Sequence, residues 1–334
     1  MQDFKRFFKP IMGSILCGLI LLGILVAGSF WIIQEVREHP ERLPDRCRTI
    51  VELENESPNT LDVLFLGDSL SYCSFSPIQL WSQHGIASFS GTQSAQNIQE
   101  AFYMLKTALK TQNPKVVVLE TNTIFRERKG LSGVSDTFST WGNYYLPAIG
   151  YHDVWKTYLS KKRYAMLDYK GFVLRDLIAP YTGGEYMKKT GKISPISKNN
   201  KWYLNKIHEL CQQHHIDLML VSAPSPINYN FEKHNALKTF ARHKNLTYID
   251  LNLQVDALKI NWKQDSLDNG DHLNLRGAEK VTTYFGKKLS ELYQFTDHRQ
   301  DAKYEFWNTQ AKQYRRELID KKKEMEKKER ITVG

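Results

Sequence analysis

Cysteine is scarce, with four in 334 residues, and no two of them form a CxxC pair. That excludes a zinc ribbon and a disulfide-dense scaffold. Cys17 lies in an apolar segment, and Cys47, Cys73 and Cys211 have no pairing that spacing can assign. No HExxH occurs and His214-His215 is only a doublet, so neither a metal nor another cofactor is expected. Zinc-finger spacing, an RNA-binding aromatic signature and an isolated basic recognition helix are all missing, so no nucleic-acid partner is expected. The formal net charge is nevertheless +10. Its basic residues are spread widely, which suits solubility plus a basic tail, or an anionic partner such as a lipid headgroup surface or a wall polymer.

What the chain does have is one long apolar run. Residues 11–33 read IMGSILCGLILLGILVAGSFWII, without a charge. That is long enough to cross a bilayer as a helix, which takes about 20 residues. Lys5, Arg6 and Lys9 precede it, so residues 1–10 are expected in the cytoplasm and the rest outside it, in a single-pass protein of the cell membrane. A cleaved signal peptide is the competing reading, because Leu25-Val26-Ala27 resembles a cleavage site, but such a peptide has a shorter apolar core of about 7–15 residues. Residues 34–60, with Pro40, Pro44 and Pro58 and many charges, read as a stalk. Residues 301–334 read as a charged helix or tail. Their KQYRRELIDKKKEMEKKER stretch has helical composition and little apolar face, and suits a solvated tail or a basic arm on anionic membrane lipid.

Between these ends strands alternate with helices. Leu61 to Leu66 is a short apolar run. Ser76-Pro77 reads as an N-cap with proline at the first helical position, opening a helix that Gly85 ends. Ile86 to Phe89 is a second strand. Ile98, Phe102, Leu105 and Leu109 recur at helical spacing, and Asn113-Pro114 separates them from a third strand, Val116 to Leu119. Trp202 to Gln213, Phe231 to His243 and Gly277 to Tyr293 are helical, with strands at Ile216 to Val221 and Leu246 to Leu251 between them. Continuous apolar strands alternating with helices predict an α/β fold, a three-layer sandwich around a central parallel sheet, spanning 61–300. Residues 126–200 break the rhythm. They show no repeat and no clear strand, and read as an insertion that is a lid, an acceptor-binding surface or a helical decoration.

Ligands of open parallel sheets gather at the carboxyl ends of the strands. There the first strand runs into Gly67-Asp68-Ser69, the second into Ser90-Gly91-Thr92 and the third into Glu120-Thr121-Asn122-Thr123. Ser69 is the candidate nucleophile. Gly91, through its backbone N–H, and Asn122, through its amide, are the candidate oxyanion-hole donors beside the N–H of Ser69. A serine needs a base. Among ten histidines, His272 in LDNGDHLNLRGAEK stands out, with Asp268 and Asp271 close before it. An Asp that orients a His that deprotonates a Ser is the logic of a catalytic triad. Asp271 is adjacent to His272, and neighbouring side chains often diverge. The Asn269-Gly270 turn pair could fold Asp268 back to the imidazole, so both acids are candidates and Asp268 is the favoured one. Asp68 reads as a partner of nearby backbone, Cys73 as packing, and Asn274 as a cap of the last loop.

On these residues the chain resembles the SGNH/GDSL hydrolase superfamily. Gly67-Asp68-Ser69 matches the first block, Gly91 the second-block glycine, Asn122 the asparagine of the third, and His272 the histidine of the last. The chain departs from the pattern where Asn269 stands three before His272, and where Glu120 and Thr123 replace the glycine and aspartate of the third block. The resemblance implies the SGNH/flavodoxin-like form of the fold and a serine esterase or O-acyltransferase. A membrane-anchored domain of this kind, with its HLN-x-x-GA stretch, resembles bacterial envelope proteins that work beside membrane-bound O-acyltransferases. It thereby implies such a partner, and an envelope polysaccharide or teichoic acid as the molecule acted on. A second possibility is an accessory protein that keeps the fold, binds polymer or scaffolds the acyltransferase, and has little or no activity.

Overall fold

The computed structural model describes residues 2–126, 131–151, 153–160, 163–164 and 169–333. The helices are α1 (Gln2–Glu38), α2 (Asp45–Glu54), α3 (Ser69–Tyr72), α4 (Pro77–His84), α5 (Ile98–Ala108), α6 (Asn122–Phe125), α7 (Leu131–Tyr145), α8 (Pro147–Gly150), α9 (Val154–Ser160), α10 (Lys198–Gln213), α11 (Phe231–Lys244), α12 (Leu275–Leu292) and α13 (Glu305–Val333). The strands are β1 (Val63–Leu66), β2 (Ser88–Ser90), β3 (Val116–Glu120), β4 (Asp217–Ser222) and β5 (Thr247–Asp250). The chain divides into two compact units, 1–51 with 129–166, and 52–128 with 167–334.

The larger unit is an α/β sandwich. Its five strands are all parallel, in the order β2-β1-β3-β4-β5, so the order reverses between β1 and β3, where a ligand crevice opens in such sheets. Alternate strand residues face opposite layers. Val63, Phe65, Val116, Val118, Met219 and Val221 join Leu80 of α4 and Val281, Phe285 and Leu289 of α12 in one buried cluster. On the other face α5 packs against β1, and α10 packs against α5 and β4. The local signals that end the helices are the ones the residues suggest. Ser76 accepts from the N–H of Gln79, Gly85 takes a left-handed conformation, and Asn97 and Glu100 form a reciprocal capping box. Phe65 stacks on Phe75 at 5.2 Å, and Phe75 meets Phe285 at 5.0 Å. Such pairs add about 0.5–1.5 kcal/mol each beyond their buried area, and they fix the end of β1 just ahead of the Gly67-Asp68-Ser69 turn.

The charged C-terminal helix is not a solvated tail. In α13 the side chains of Trp307, Tyr314 and Met325 are buried, Trp81 of α4 packs against Tyr304 and Trp307, and Arg276 of α12 makes a two-point ion pair with Glu329 at 2.8 and 2.9 Å. The sparse apolar positions align on one face, which charge content alone does not show.

In the smaller unit, Ile11–Glu38 of α1 is long and apolar enough to cross a membrane. Gly28 and Ser29 let α8 come close: Ala148 N–H donates to Ser29 Oγ at 3.1 Å. Ile32, Val36, Leu43, Val51 and Val154 form a small buried cluster. The stretch read as one insertion into the α/β domain is therefore divided: the described part of 129–166 belongs with the N-terminal segment, as short helices, and 169–200 belongs with the sheet. Its residues 127–130, 152, 161–162 and 165–168 lie outside the described residues. The stalk, for its part, is largely helical through the end of α1 and α2.

Candidate active site

β1 ends in a turn that only glycine fits. Gly67 has φ +141°, and a Cβ there would lie 2.7 Å from the Cβ of Glu120, so β1 and β3 approach too closely for any side chain. Asp68 follows as the N-cap of α3, its Oδ1 accepting from the Leu70 N–H at 3.0 Å. Ser69 is the first residue of that short helix, and its hydroxyl leaves the sheet at the carboxyl edge.

His272 reaches this point from a hairpin 203 residues away. Ser266 and Leu273 bridge in antiparallel fashion, and Leu267 N–H donates to His272 O at 2.9 Å. Asn269 and Gly270 turn the chain with φ +57° and +93°, the pair of positive angles that Asn-Gly adopts at low cost. The turn brings Asp268 back onto His272: its Oδ1 accepts the backbone N–H of His272 at 2.7 Å, and its Oδ2 lies 2.6 Å from Nδ1. His272 Nε2 lies 2.7 Å from Ser69 Oγ. A carboxylate only accepts, so the imidazole proton sits on Nδ1 and Nε2 is free to accept from the serine. Asp271 is 3.6 Å from Nδ1 and is held elsewhere, since Asn228 Nδ2 donates to its Oδ1 and Ser225 Oγ to its backbone carbonyl at 2.7 Å. Of the two candidate acids, then, Asp268 meets the ring and Asp271 meets Asn228.

The candidate oxyanion donors fare differently. Gly91 is a correction. Its N–H donates to Phe65 O at 2.9 Å as part of the strand edge, so it is not available to a ligand. The position needs glycine for packing, because a Cβ would come within 3.1 Å of Met104 and 3.3 Å of Leu64. Asn122 lies at the right edge, buried, with Nδ2 donating to Asp68 Oδ2 at 2.8 Å. Asn274 caps α12, its Oδ1 accepting from Arg276 and Gly277. Cys73 is buried beside the site, and burial above all pushes its thiol up to about 12, which leaves it an unreactive packing group. Asp268, Asp271 and His272 have ligand atoms within 4.8 Å of one another, with the two ring nitrogens of His272 facing Asp268 and Ser69.

Beneath Ser69 lies a layer of charge that spacing alone does not reveal. Asp68, fully buried, takes two guanidinium contacts from Arg126, at 2.7 Å from NH2 and 3.3 Å from Nε. Glu120 is also buried, its oxygens accepting from the N–H groups of Asn122 and Ala223. Burial, and after it the negative charge of Asp68, hold the Glu120 carboxyl well above the usual carboxylate range. Lys233 of α11 donates to Asn228 O at 2.6 Å, and burial lowers its pKa against the pull of Glu120 and Asp68. The available signal for Arg126 was that a buried Asp68 requires a cation, and Arg126 is one turn past Asn122.

Glu120 carries a pH prediction. Its folded pKa exceeds the unfolded value near 4.5, so the stabilisation from its bound proton is complete below that value and is lost as pH rises through the raised folded pKa. Glu120→Gln cannot ionise. In thermal melts taken from about pH 5 to about pH 8, wild type should lose stability relative to the variant. A gap that stays constant with pH would show that Glu120 does not carry the proton.

No protein-family model and no curated protein matches the chain. Among solved structures, a GDSL-like lipase from Bacteroides thetaiotaomicron is similar at 8% identity and a TM-score of 0.40, over 74% of this chain and 98% of that one. A two-domain esterase active on acetylated mannans is similar at 12% identity and a TM-score of 0.37, over 77% of this chain and 55% of that one.

Proposed function

We propose that the chain is a serine acyl-ester enzyme of the SGNH/GDSL type, in which Ser69 is the nucleophile, His272 the general base and acid, and Asp268 the group that orients His272. One observation carries the reading: the unbroken line Ser69 Oγ, His272 Nε2, His272 Nδ1, Asp268 Oδ2, with steps of 2.7 and 2.6 Å at the two hydrogen bonds. Ser69 Oγ attacks an ester carbonyl while its proton passes to Nε2. Asp268 stabilises the imidazolium that results. The tetrahedral oxyanion takes the Ser69 N–H, which has no intrahelical acceptor at the start of α3, and the second proton of the Asn122 amide, whose first holds Asp68. Collapse expels the alcohol, protonated by His272, and leaves an acyl-Ser69. Water or a second hydroxyl then attacks with His272 again as base, so hydrolysis and acyl transfer share every step but the identity of the acceptor.

The apolar α1 and the positive charges before its apolar run favour a membrane anchor with the α/β unit outside the cytoplasm. In that place the ester belongs to an envelope polysaccharide or teichoic acid, and the resemblance of the motifs supports a membrane-bound O-acyltransferase as partner. The test is labelling by a fluorophosphonate probe. Wild type should label at one site and Ser69→Ala should not. A folded wild type that stays unlabelled would favour the accessory protein without activity.

A further inference from the structure

A cavity of about 490 Å³ lies beside the hairpin that carries His272, within the roughly 300–1,000 Å³ of small-molecule sites. One wall is aromatic. Tyr181 and Tyr186 meet Trp262 edge-on, with ring centroids 6.2 and 6.1 Å apart. Each tyrosine ring stands nearly perpendicular to the Trp262 ring, at 73° and 84°, and all three residues line the cavity. Glu185, Asp256 and Lys263 also line the cavity. All three are exposed, and the two carboxylates make no ion pair and no side-chain hydrogen bond among the described residues.

This wall is built into the candidate active site. Tyr181 packs on Gly270, where a Cβ would lie 2.7 Å from its ring. The Tyr181 N–H donates to Trp262 O at 3.1 Å, and the Asn269 N–H to Ala179 O at 2.9 Å, so the segment around Tyr181 is laced to the Asp268–His272 turn. Tyr186 OH donates to Asn252 Oδ1 at 3.1 Å. The same oxygen accepts from the N–H of Ser225, whose hydroxyl holds Asp271 O.

We infer that the cavity walled by Tyr181, Tyr186 and Trp262 is a subsite for one pyranose ring of a glycan. A pyranose has an apolar C–H face and a rim of hydroxyls. The aromatic wall matches the face, and two carboxylates without partners match the rim as acceptors. That the bound ring belongs to the molecule whose ester is processed rests on the ester-enzyme reading; that a ring binds here does not.

The test is titration of the intact protein, in a Ser69→Ala background, with chitotetraose and cellotetraose, followed by calorimetry. At least one should bind, and Trp262→Ala should weaken it by roughly tenfold or more. Trp262 also packs against the core, so Glu185→Gln and Asp256→Asn serve as variants at exposed positions, each expected to weaken binding several-fold. Loss of binding in either supports the subsite even if Trp262→Ala does not fold. Absence of binding to both oligosaccharides, or equal binding by all folded variants, overturns it. Fluorophosphonate labelling of the parent protein with Ser69 intact separates the two ideas. Label without sugar binding leaves the enzyme and removes the subsite, and sugar binding without label does the reverse.

Discussion

Ser69→Ala and His272→Ala should each lower ester turnover by a factor on the order of 10⁶, and the double variant should be barely worse than either. The reason is that neither side chain is useful alone. A serine hydroxyl without a base stays protonated, and an imidazole with no hydroxyl 2.7 Å from its Nε2 has nothing to activate. Initial rates on a small activated acetate ester, with circular dichroism on the same samples, make the check. Multiplicative losses in the double variant would mean that the two side chains act in separate steps, and the proposed mechanism would fall. Ser69 borders a well-packed turn whose shape comes from Gly67 and Asp68, so the serine can be cut to alanine without moving the backbone.

Asp268→Asn should cost up to about 10⁴-fold in kcat, and Asp271→Asn far less. The carboxylate of Asp268 accepts twice from His272, once from the backbone N–H and once at Nδ1. An amide can satisfy one of these contacts, but its NH2 then faces a donor at the other, and the ring turns or changes tautomer. Asp271 stands 3.6 Å from the ring and accepts from Asn228. Its loss should loosen the loop and leave the proton path. The separating measurement is the split between kcat and KM: in Asp268→Asn kcat should fall with KM nearly unchanged, because a group that only orients the base acts on the chemical step and not on binding. The opposite ranking of the two variants would assign the orienting role to Asp271.

The sheet was legible because buried parallel strands write themselves as continuous apolar runs, and four of the five observed strands overlap such a run by at least four residues. Ser69 and His272 stand out as candidates for a different reason: a serine directly after a buried run, and a histidine with two acids just before it, are the residue types that a triad needs, and the structure brings the two side chains together. Gly91 misled because a glycine after a strand reads as a free N–H, and nothing local tells that Phe65 O takes it. Arg126 and Glu120 were hidden because their meaning depends on Asp68, 58 and 52 positions away, being sealed from water. The helix α13 was misjudged for want of apolar residues. Three large side chains, Trp307, Tyr314 and Met325, suffice where α4 already offers Trp81.

The hairpin at Ser266–Leu273 also sets the order in which this site can come into being. Asp268 and His272 are four residues apart and belong to one turn, so they can find each other as soon as that turn forms. Ser69 must wait. Its partner lies 203 residues further along, beyond four of the five strands, and contacts at such separation form late because closing the intervening chain is slow. A partly folded chain therefore holds Ser69 without His272 beside it. On the proposed function, ester cleavage would begin only once the last pieces of the sheet are in place, and an unfinished chain would have no means of it.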